Sequence, residues 1–288
     1  MYFYTAYHLD SSDMEANMKR FAWLLLALPL LGACAGPAKK ADAVDAIKKA
    51  GKLVIGTSAD FPPYEFHIQD KGTDKIVGFD IAVGQEIAKD LGVTLEIKDM
   101  KFDGLLAALD SGNVDIVLAG MSPTDERKKS TDFSEIYYRA EQGVIVRAAD
   151  KDRYATPESL KEAMIGAQKG AIQVGIAKKQ IKGMADETQD NAQVKELPKL
   201  GDLVLALKNK NIDAIVVETA VAKAYVAANP DLVVAPFVFP DESGGSAIAI
   251  KKGNSALLEA VNKSLARLGA ANAVEGFVAD ANKLMEQL

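Results

Sequence analysis

The stretch AGMSPTDER, residues 119–127, follows an apolar, strand-like run at residues 115–118 and opens a short polar helix. Its proline ends the strand, and its threonine is a good N-cap residue for the helix. Gly120 lets a ligand approach the backbone, Ser122 offers a hydroxyl, and Arg127 can present two donors to a carboxylate. The stretch therefore predicts an anion-binding seat. The competing interpretation is a capped surface helix whose arginine is solvated or paired with the preceding glutamate.

Strand-like and helix-like segments alternate on both sides of this stretch. Buried strands are predicted in two series, at residues 53–57, 93–97 and 115–118 and then at 164–168, 194–197 and 213–217. Amphipathic helices lie between them. This alternation predicts an α/β fold with mainly parallel sheets, in which ligands collect at the carboxyl ends of the strands. Phe61, Phe102 and the 119–127 stretch all follow predicted strands, so we expect them to meet at one edge.

The two series predict two lobes rather than two consecutive domains. About 40 residues follow Gly245, which is too few for a third core, so we expect them to pack back on the first lobe. The chain would then cross between the lobes twice, which predicts a hinge. The predicted division is lobe 1 at residues 42–137 and 247–288, lobe 2 at 142–241, and hinge segments at 138–141 and 242–246.

The N-terminal residues are predicted to be a targeting segment. Basic residues at 18–20 precede an apolar run of 11 residues at 21–31, which is too short to span a membrane but suits a signal peptide. The following LGAC resembles a bacterial lipobox, so residues 18–33 read as a lipoprotein signal peptide and Cys34 as its acylated first mature residue. A signal peptide with a chance cysteine is the alternative. We interpret residues 34–41 as a tether and residues 1–17 as preceding the true start.

The composition excludes several classes of function. A net charge of −6 without a clustered basic face argues against nucleic-acid binding. The single cysteine cannot form an intramolecular disulfide. Two histidines support neither a Ser-His-Asp triad nor a multi-histidine metal site, and no glycine-rich phosphate loop is present. We therefore expect no catalytic residues, no metal and no cofactor.

Several ordered motifs resemble the bacterial extracellular solute-binding proteins of the polar amino-acid transport family (family 3). They are GTSADFPPYEF at 56–66, VGFDI at 77–81, FDGLLAAL at 102–109, VDIVLAG at 114–120, TDERKK at 124–129, DFS at 132–134 and QKG at 168–170. The resemblance covers nearly all of the mature chain. It implies a two-lobed type II periplasmic-binding-protein fold, each lobe a mainly parallel sheet flanked by helices, with two hinge strands that let the lobes close on a ligand.

The resemblance also implies ligand-binding residues in the first lobe. Arg127 would pair with the α-carboxylate of an amino acid, helped by Ser122 and the backbone near Gly120. Phe61 and Phe102 match the aromatic positions that sandwich the ligand side chain. The alternative for each phenylalanine is ordinary packing in the core. The predicted anion seat would then be one half of the site.

The second lobe would supply the other half. Glu218 matches an acidic position, usually Asp, that takes the α-ammonium; its alternative role is to cap a helix. Gln168, Ala171 and Ile172 lie on the turn that would also contact the ligand, although Ala171 and Ile172 are less polar or bulkier than the family pattern. Because an unpaired buried ion is costly, only a zwitterion that bridges Arg127 and Glu218 would satisfy both charges.

The implied function is that of a lipid-anchored, extracytoplasmic protein that binds a polar amino acid and delivers it to the permease of an ABC importer, as a monomer. Ser58 stands where some binders of basic amino acids have an acid, which favours glutamine. Asp60, Glu65 and Glu218 keep lysine and arginine open. The alternative is an enzyme on the same fold, similar to cyclohexadienyl dehydratases, in which Glu218 or Glu65 would act as the acid.

Overall fold

The structure is a computed structural model that describes residues 42–287. The predicted signal peptide, Cys34 and the tether, like residues 1–17 before them, lie outside the described residues. Among the helices that the structure describes, none is long and apolar enough to cross a membrane.

Strands and helices alternate along the described residues, as the sequence predicts. The strands are β1 (Lys52–Thr57), β2 (Asp60–Phe61), β3 (Glu65–Asp70), β4 (Thr73–Val77), β5 (Thr94–Asp99), β6 (Ile116–Val117), β7 (Thr131–Tyr138), β8 (Gln142–Arg147), β9 (Ile165–Gln168), β10 (Val194–Leu197), β11 (Ala214–Glu218), β12 (Leu232–Val234) and β13 (Ser246–Lys251). The helices are α1 (Ala43–Ala50), α2 (Phe79–Leu91), α3 (Leu105–Asp110), α4 (Asp125–Lys128), α5 (Ile172–Gly175), α6 (Leu200–Lys208), α7 (Thr219–Ala227), α8 (Ser255–Ala270) and α9 (Ala273–Met285).

The first five-stranded sheet has the order β5-β1-β6-β13-β7. Strand β1 pairs in parallel with β5 and β6, and β13 pairs antiparallel with β6 and β7. Four strands therefore run in one direction and only β13 opposes them, which confirms the predicted mainly parallel sheet. The fully buried Leu53 and Ile55 of β1 share one core with Ile87 of α2 and Val261 of α8. The C-terminal helices thus pack on the first sheet.

The second sheet repeats this arrangement in the order β10-β9-β11-β8-β12. Strand β9 pairs in parallel with β10 and β11, whereas β8 pairs antiparallel with β11 and β12. The two opposing strands, β8 and β13, each follow a crossing of the chain from one sheet to the other. The crossings lie between Tyr138 and Gln142 and between Val234 and Ser246. The molecule therefore has two α/β lobes, which we name first and second after these sheets.

The first lobe also has a small antiparallel sheet, β2-β3-β4. The turn from β2 to β3, residues 61–64, contains Phe61 and Tyr64, and we call it the aromatic loop. The loop is fixed by the start of α2, where the backbone N–H of Phe79 donates to Pro63 O over 3.1 Å and that of Asp80 donates to Tyr64 O over 3.0 Å. These two helix donors would otherwise lack partners. Gly78, with φ of 129°, allows this approach, because a Cβ there would lie 2.1 Å from Tyr64 O. Helix α2 thereby positions Phe61 and Tyr64.

Helix starts were predicted with mixed success. Thr124 is the N-cap of α4 and its hydroxyl accepts a hydrogen bond from the backbone N–H of Arg127, as expected. The same residue preference predicts N-caps at Asp103 and Asp202, before helical segments with leucines on one face, and both predictions are wrong. Asp103 lies inside a 3₁₀ turn, Phe102–Gly104, that precedes α3, and Asp202 lies in the first turn of α6, whose N-cap is Lys199. Residue preference for a cap cannot tell an N-cap from the first turn, where acidic residues are also favoured.

Candidate functional site

A cavity lies where the carboxyl ends of the strands in the two lobes face each other. Its free volume in this structure is about 10 Å³, which is room for about one water molecule, so a ligand can enter only if the lobes move apart. The first lobe contributes six lining residues and the second lobe four: Phe61, Phe102, Ala119, Gly120, Ser122 and Arg127, then Gln168, Ala171, Ile172 and Gln173.

Eight of the nine predicted ligand-binding residues line this one cavity. The exception is Glu218, which does not line it. Ala119 and Gln173 line the cavity but were not predicted. Ala119 adjoins the predicted glycine and carries no polar group that would have marked it. Gln173 lies on α5 and gave no sequence signal, because a lone glutamine on a helix is usually a surface residue.

Arg127 is half-buried at the cavity and spans the two lobes. Its Nη1 donates to Ser122 O over 2.7 Å, and its Nη2 donates to Gly170 O of the second lobe over 2.9 Å. Its guanidinium carbon lies 5.4 Å from the ring centroid of Phe102, in cation–π contact. Burial lowers the pKa of Arg127 to about 10, so the group stays charged at neutral pH. Two bonds leave further N–H donors of the five for a bound anion.

Gly120 is held in a left-handed conformation beside Arg127. Its φ is 54°, and a Cβ at this position would lie 3.0 Å from Cε1 of Phe61. Its backbone N–H donates to Asp80 Oδ2 over 3.0 Å, and the same oxygen accepts from the Tyr137 hydroxyl over 2.8 Å. Asp80 is fully buried, and this burial raises its pKa to about 6. Asp80 thus fixes the backbone of the cavity wall.

Glu218 lies behind the cavity, where the two lobes meet. Its carboxylate accepts a hydrogen bond from the hydroxyl of Tyr64 in the first lobe. Glu218 occupies the N-cap position of α7, but its side chain makes no capping bond. The capping alternative therefore does not describe the side chain. Burial is the main cause that raises the pKa of Glu218, to about 8. Without a cation beside it, the carboxyl is therefore largely protonated at neutral pH.

A polar connection leads from the cavity toward Glu218. The amide of Gln173, which lines the cavity, donates to Gln142 Oε1 over 2.7 Å. Gln142 lies directly opposite Glu218 in the pairing of β8 with β11, and its fully buried side chain helps to hold the pKa of Glu218 down against the effect of burial. The amide nitrogen of Gln142 has no hydrogen-bond partner among the described residues, so it is free to donate to a group that enters between the cavity and Glu218.

Four carboxyl groups lie close to one another outside the cavity lining. Glu65 is fully buried, and neither of its side-chain oxygens has a hydrogen-bond partner among the described residues. Burial, followed by the nearby Asp80, raises the pKa of Glu65 well above its usual range, and Asp60 and Glu218 act in the same direction. Glu65 therefore favours its protonated form in the ligand-free protein.

Comparison with known proteins identifies the family. The family model for bacterial extracellular solute-binding proteins, family 3, matches residues 53–276, which span both lobes. The chain belongs to this family. The solute-binding protein is 38% identical over 251 residues to the arginine-binding extracellular protein ArtP of Bacillus subtilis, covering 86% of this chain and 92% of that protein. It is 30% identical over 255 residues to the glutamine-binding protein GlnH of the same organism, covering 85% and 89%.

A solved structure shares the two-lobed fold. The amino-acid ABC transporter substrate-binding protein AbpA of Streptococcus pneumoniae, bound to L-arginine, superposes with a TM-score of 0.78 at 38% identity. The match covers 84% of this chain and 98% of AbpA. The predicted family and fold are confirmed. These relatives are all named as binding proteins and none as an enzyme.

Proposed function

We propose that this solute-binding protein captures a free amino acid between its lobes and delivers it to an ABC importer. The observation that carries the proposal is Arg127, a charged guanidinium that reaches across from the first lobe to Gly170 of the second at the cavity. An anion held by this group contacts both lobes, so binding and closure occur together. A charge-assisted hydrogen bond contributes about 1.5–3 kcal/mol, so two of them supply about 3–6 kcal/mol of the roughly 8 kcal/mol that micromolar binding requires.

We assign the ligand ammonium to Glu218, which lies behind the cavity wall and has to become accessible as the lobes open to admit the ligand. Its protonated carboxyl ionises when a cation comes near, because an opposite charge favours the charged form. The Tyr64 hydroxyl continues to donate to it, which stabilises the carboxylate further. Arg127 and Glu218 then pair with opposite ends of a zwitterion, and the connection through Gln142 and Gln173 orients the second-lobe side of the cavity.

Arginine is the favoured ligand, ahead of the glutamine that the sequence suggested. The case for glutamine was that Ser58 stands where some binders of basic amino acids have an acid. Two relatives that match along most of the chain point instead to arginine: ArtP is named as arginine-binding, and AbpA is bound to L-arginine.

Two further features of the chain support capture and delivery: the two crossings between the lobes and the predicted lipid anchor at Cys34. The two crossings, at residues 138–141 and 242–246, serve as the hinge on which the lobes close. Acylation of Cys34 anchors the protein outside the cytoplasm, close to the permease, and the protein acts as a monomer.

One observation favours a second candidate, a dehydratase of the cyclohexadienyl type. A general acid must be protonated at working pH, and the raised pKa of Glu218 meets that requirement. Incubation of the purified protein with prephenate or arogenate decides this. Formation of an aromatic product would replace the binding function, whereas no turnover together with ligand-dependent stabilisation supports it.

A thermal-shift panel of the twenty amino acids tests the proposed function. A ligand at 100 times its dissociation constant stabilises the folded protein by about 2.7 kcal/mol. We expect the largest shift with L-arginine, smaller shifts with lysine or glutamine, and none with D-arginine. A panel with no shift would refute amino-acid capture.

A further inference from the structure

Asp60 of the first lobe makes more hydrogen bonds to the second lobe than its neighbours do. Its Oδ2 accepts from the backbone N–H of Leu200 over 2.8 Å, and its Oδ1 accepts from Gln168 Nε2 over 3.4 Å. Its backbone carbonyl accepts from the hydroxyl of Tyr225 over 2.9 Å. All three donors belong to the second lobe. Ser58, in the same lobe as Asp60, orients the carboxylate toward them.

The bond to Leu200 is a helix cap supplied from another lobe. Leu200 is the first residue of α6, a helix of nine residues, and the N-cap residue Lys199 makes no side-chain capping bond. The first N–H groups of a helix need an outside acceptor and favour a negative charge. Asp60 meets both needs. Because its backbone belongs to the first lobe, the cap exists only while the lobes are together.

The remaining contacts place this cap beside the ligand cavity and not in it. Asp60 does not line the cavity, whereas Gln168, which bonds to it, does. Phe61 and Tyr64 of the first lobe share an apolar cluster with Leu200 and Val217 of the second. The cap therefore lies at the edge of a dry contact between the lobes, where a hydrogen bond is stronger than in water.

We propose that Asp60 is a closure latch: its carboxylate caps α6 of the opposite lobe in the closed state only, and so sets the closed fraction without contacting the ligand. This inference rests on the proposed function, since it assumes that the lobes open and close. A cap is worth about 1 kcal/mol, which corresponds to about a fivefold change in the closure equilibrium. Affinity falls in proportion to the closed fraction that is lost.

The test compares Asp60→Ala with Asp60→Asn in the full-length chain. We expect Asp60→Ala to weaken L-arginine binding about fivefold, mainly through faster dissociation. We expect Asp60→Asn to restore most of it, because an asparagine oxygen also caps helices. Asp115→Ala is the matched control: Asp115 Oδ2 accepts from the backbone N–H of Val54 over 2.8 Å, but within one lobe. It should leave affinity unchanged.

Hydrogen exchange at the Leu200 amide provides a readout that does not depend on ligand contact. With saturating ligand this amide should exchange slowly in the wild type and fast in Asp60→Ala. Without ligand the same difference should persist at smaller amplitude. Should Asp60→Ala not fold, Tyr225→Phe removes one interlobe hydroxyl, with Tyr154→Phe as its control within the second lobe; it should weaken binding while the control does not.

Three results would overturn the latch. Wild-type affinity in Asp60→Ala would show that the cap carries no closure energy. Complete loss of binding with native stability would show that Asp60 contacts the ligand. Equal exchange of the Leu200 amide in both proteins would show that Asp60 does not cap it. If the wild type binds no amino acid, the proposed function fails separately, and exchange in the ligand-free proteins still decides the latch.

Discussion

At the residue scale, Arg127 connects the sequence to the site. Its place one turn into a capped helix predicted a carboxylate-binding group, and the structure places it at the cavity with bonds to Ser122 O and Gly170 O. The connection to Gly170 could not be predicted, because it depends on how the second lobe approaches the first. Residue spacing within one lobe contains no information on that approach.

Replacing Arg127 should abolish ligand capture. Arg127→Ala removes at least two charge-assisted bonds, so we expect L-arginine affinity to fall by a factor of about 10² to 10⁴. Arg127→Lys should recover little, because an ammonium lacks the planar pair of donors. Isothermal titration measures both. The control is Arg153→Ala, since Arg153 also stacks on an aromatic ring, that of Tyr154 at 5.0 Å, away from the cavity. Unchanged affinity in Arg127→Ala would refute the carboxylate role.

Glu218 should make the ligand-free protein less stable as pH rises. Its folded-state pKa of about 8 lies above the ordinary value of 4.5, so the folded state holds a proton that the unfolded state releases. The contribution of Glu218 to stability is complete below about pH 4.5 and is lost as pH rises through about 8. We expect the free energy of unfolding to fall across this window.

Urea denaturation between pH 5 and pH 8.5 measures this dependence. Glu218→Gln keeps the shape and remains neutral, so its stability should fall less steeply than that of the wild type. Asp80 and Glu65 are present in both proteins, and because each interacts with Glu218, the comparison measures Glu218 together with its effect on them. Parallel curves would show that Glu218 does not hold the proton.

At the scale of elements, the start of α2 fixes the aromatic loop of the cavity. The helix begins at Phe79, within the VGFDI motif that resembles the family. The support that its first N–H groups give to the carbonyls of Pro63 and Tyr64 was not predicted, since it joins two segments that are separate in sequence. The wrong caps at Asp103 and Asp202 have the same origin: local preference cannot choose between adjacent turns.

A methyl group at Gly78 should destabilise the protein. Gly78→Ala places a Cβ 2.1 Å from Tyr64 O at a φ of 129°, so we expect a loss of at least about 2 kcal/mol from strain and displacement of the loop. Chemical denaturation measures it. Gly104→Ala is the control, because a Cβ there meets nothing within 4 Å. Equal stability of the two variants would contradict the proposed support of the loop by α2.

At the scale of the whole molecule, alternating strands and helices were enough to predict two α/β lobes, whereas the family was identified by the resemblance of the ordered motifs between residues 56 and 170. Too little sequence after Gly245 for a third core predicted the return of the chain to the first sheet, where β13 lies. The identity of the ligand was harder to predict. It depends on the charge of Glu218, which is set by packing between the lobes and not by its position in the sequence.

The central claim is that Arg127 and the closing lobes hold the carboxylate of a free amino acid. Isothermal titration of L-arginine against agmatine, which is arginine without its carboxylate, tests it most directly. We predict that L-arginine binds with micromolar or tighter affinity and that agmatine binds at least about 100-fold more weakly, since it loses the bonds to Arg127. Equal binding of both compounds, or no heat with L-arginine or any other amino acid, would contradict the account.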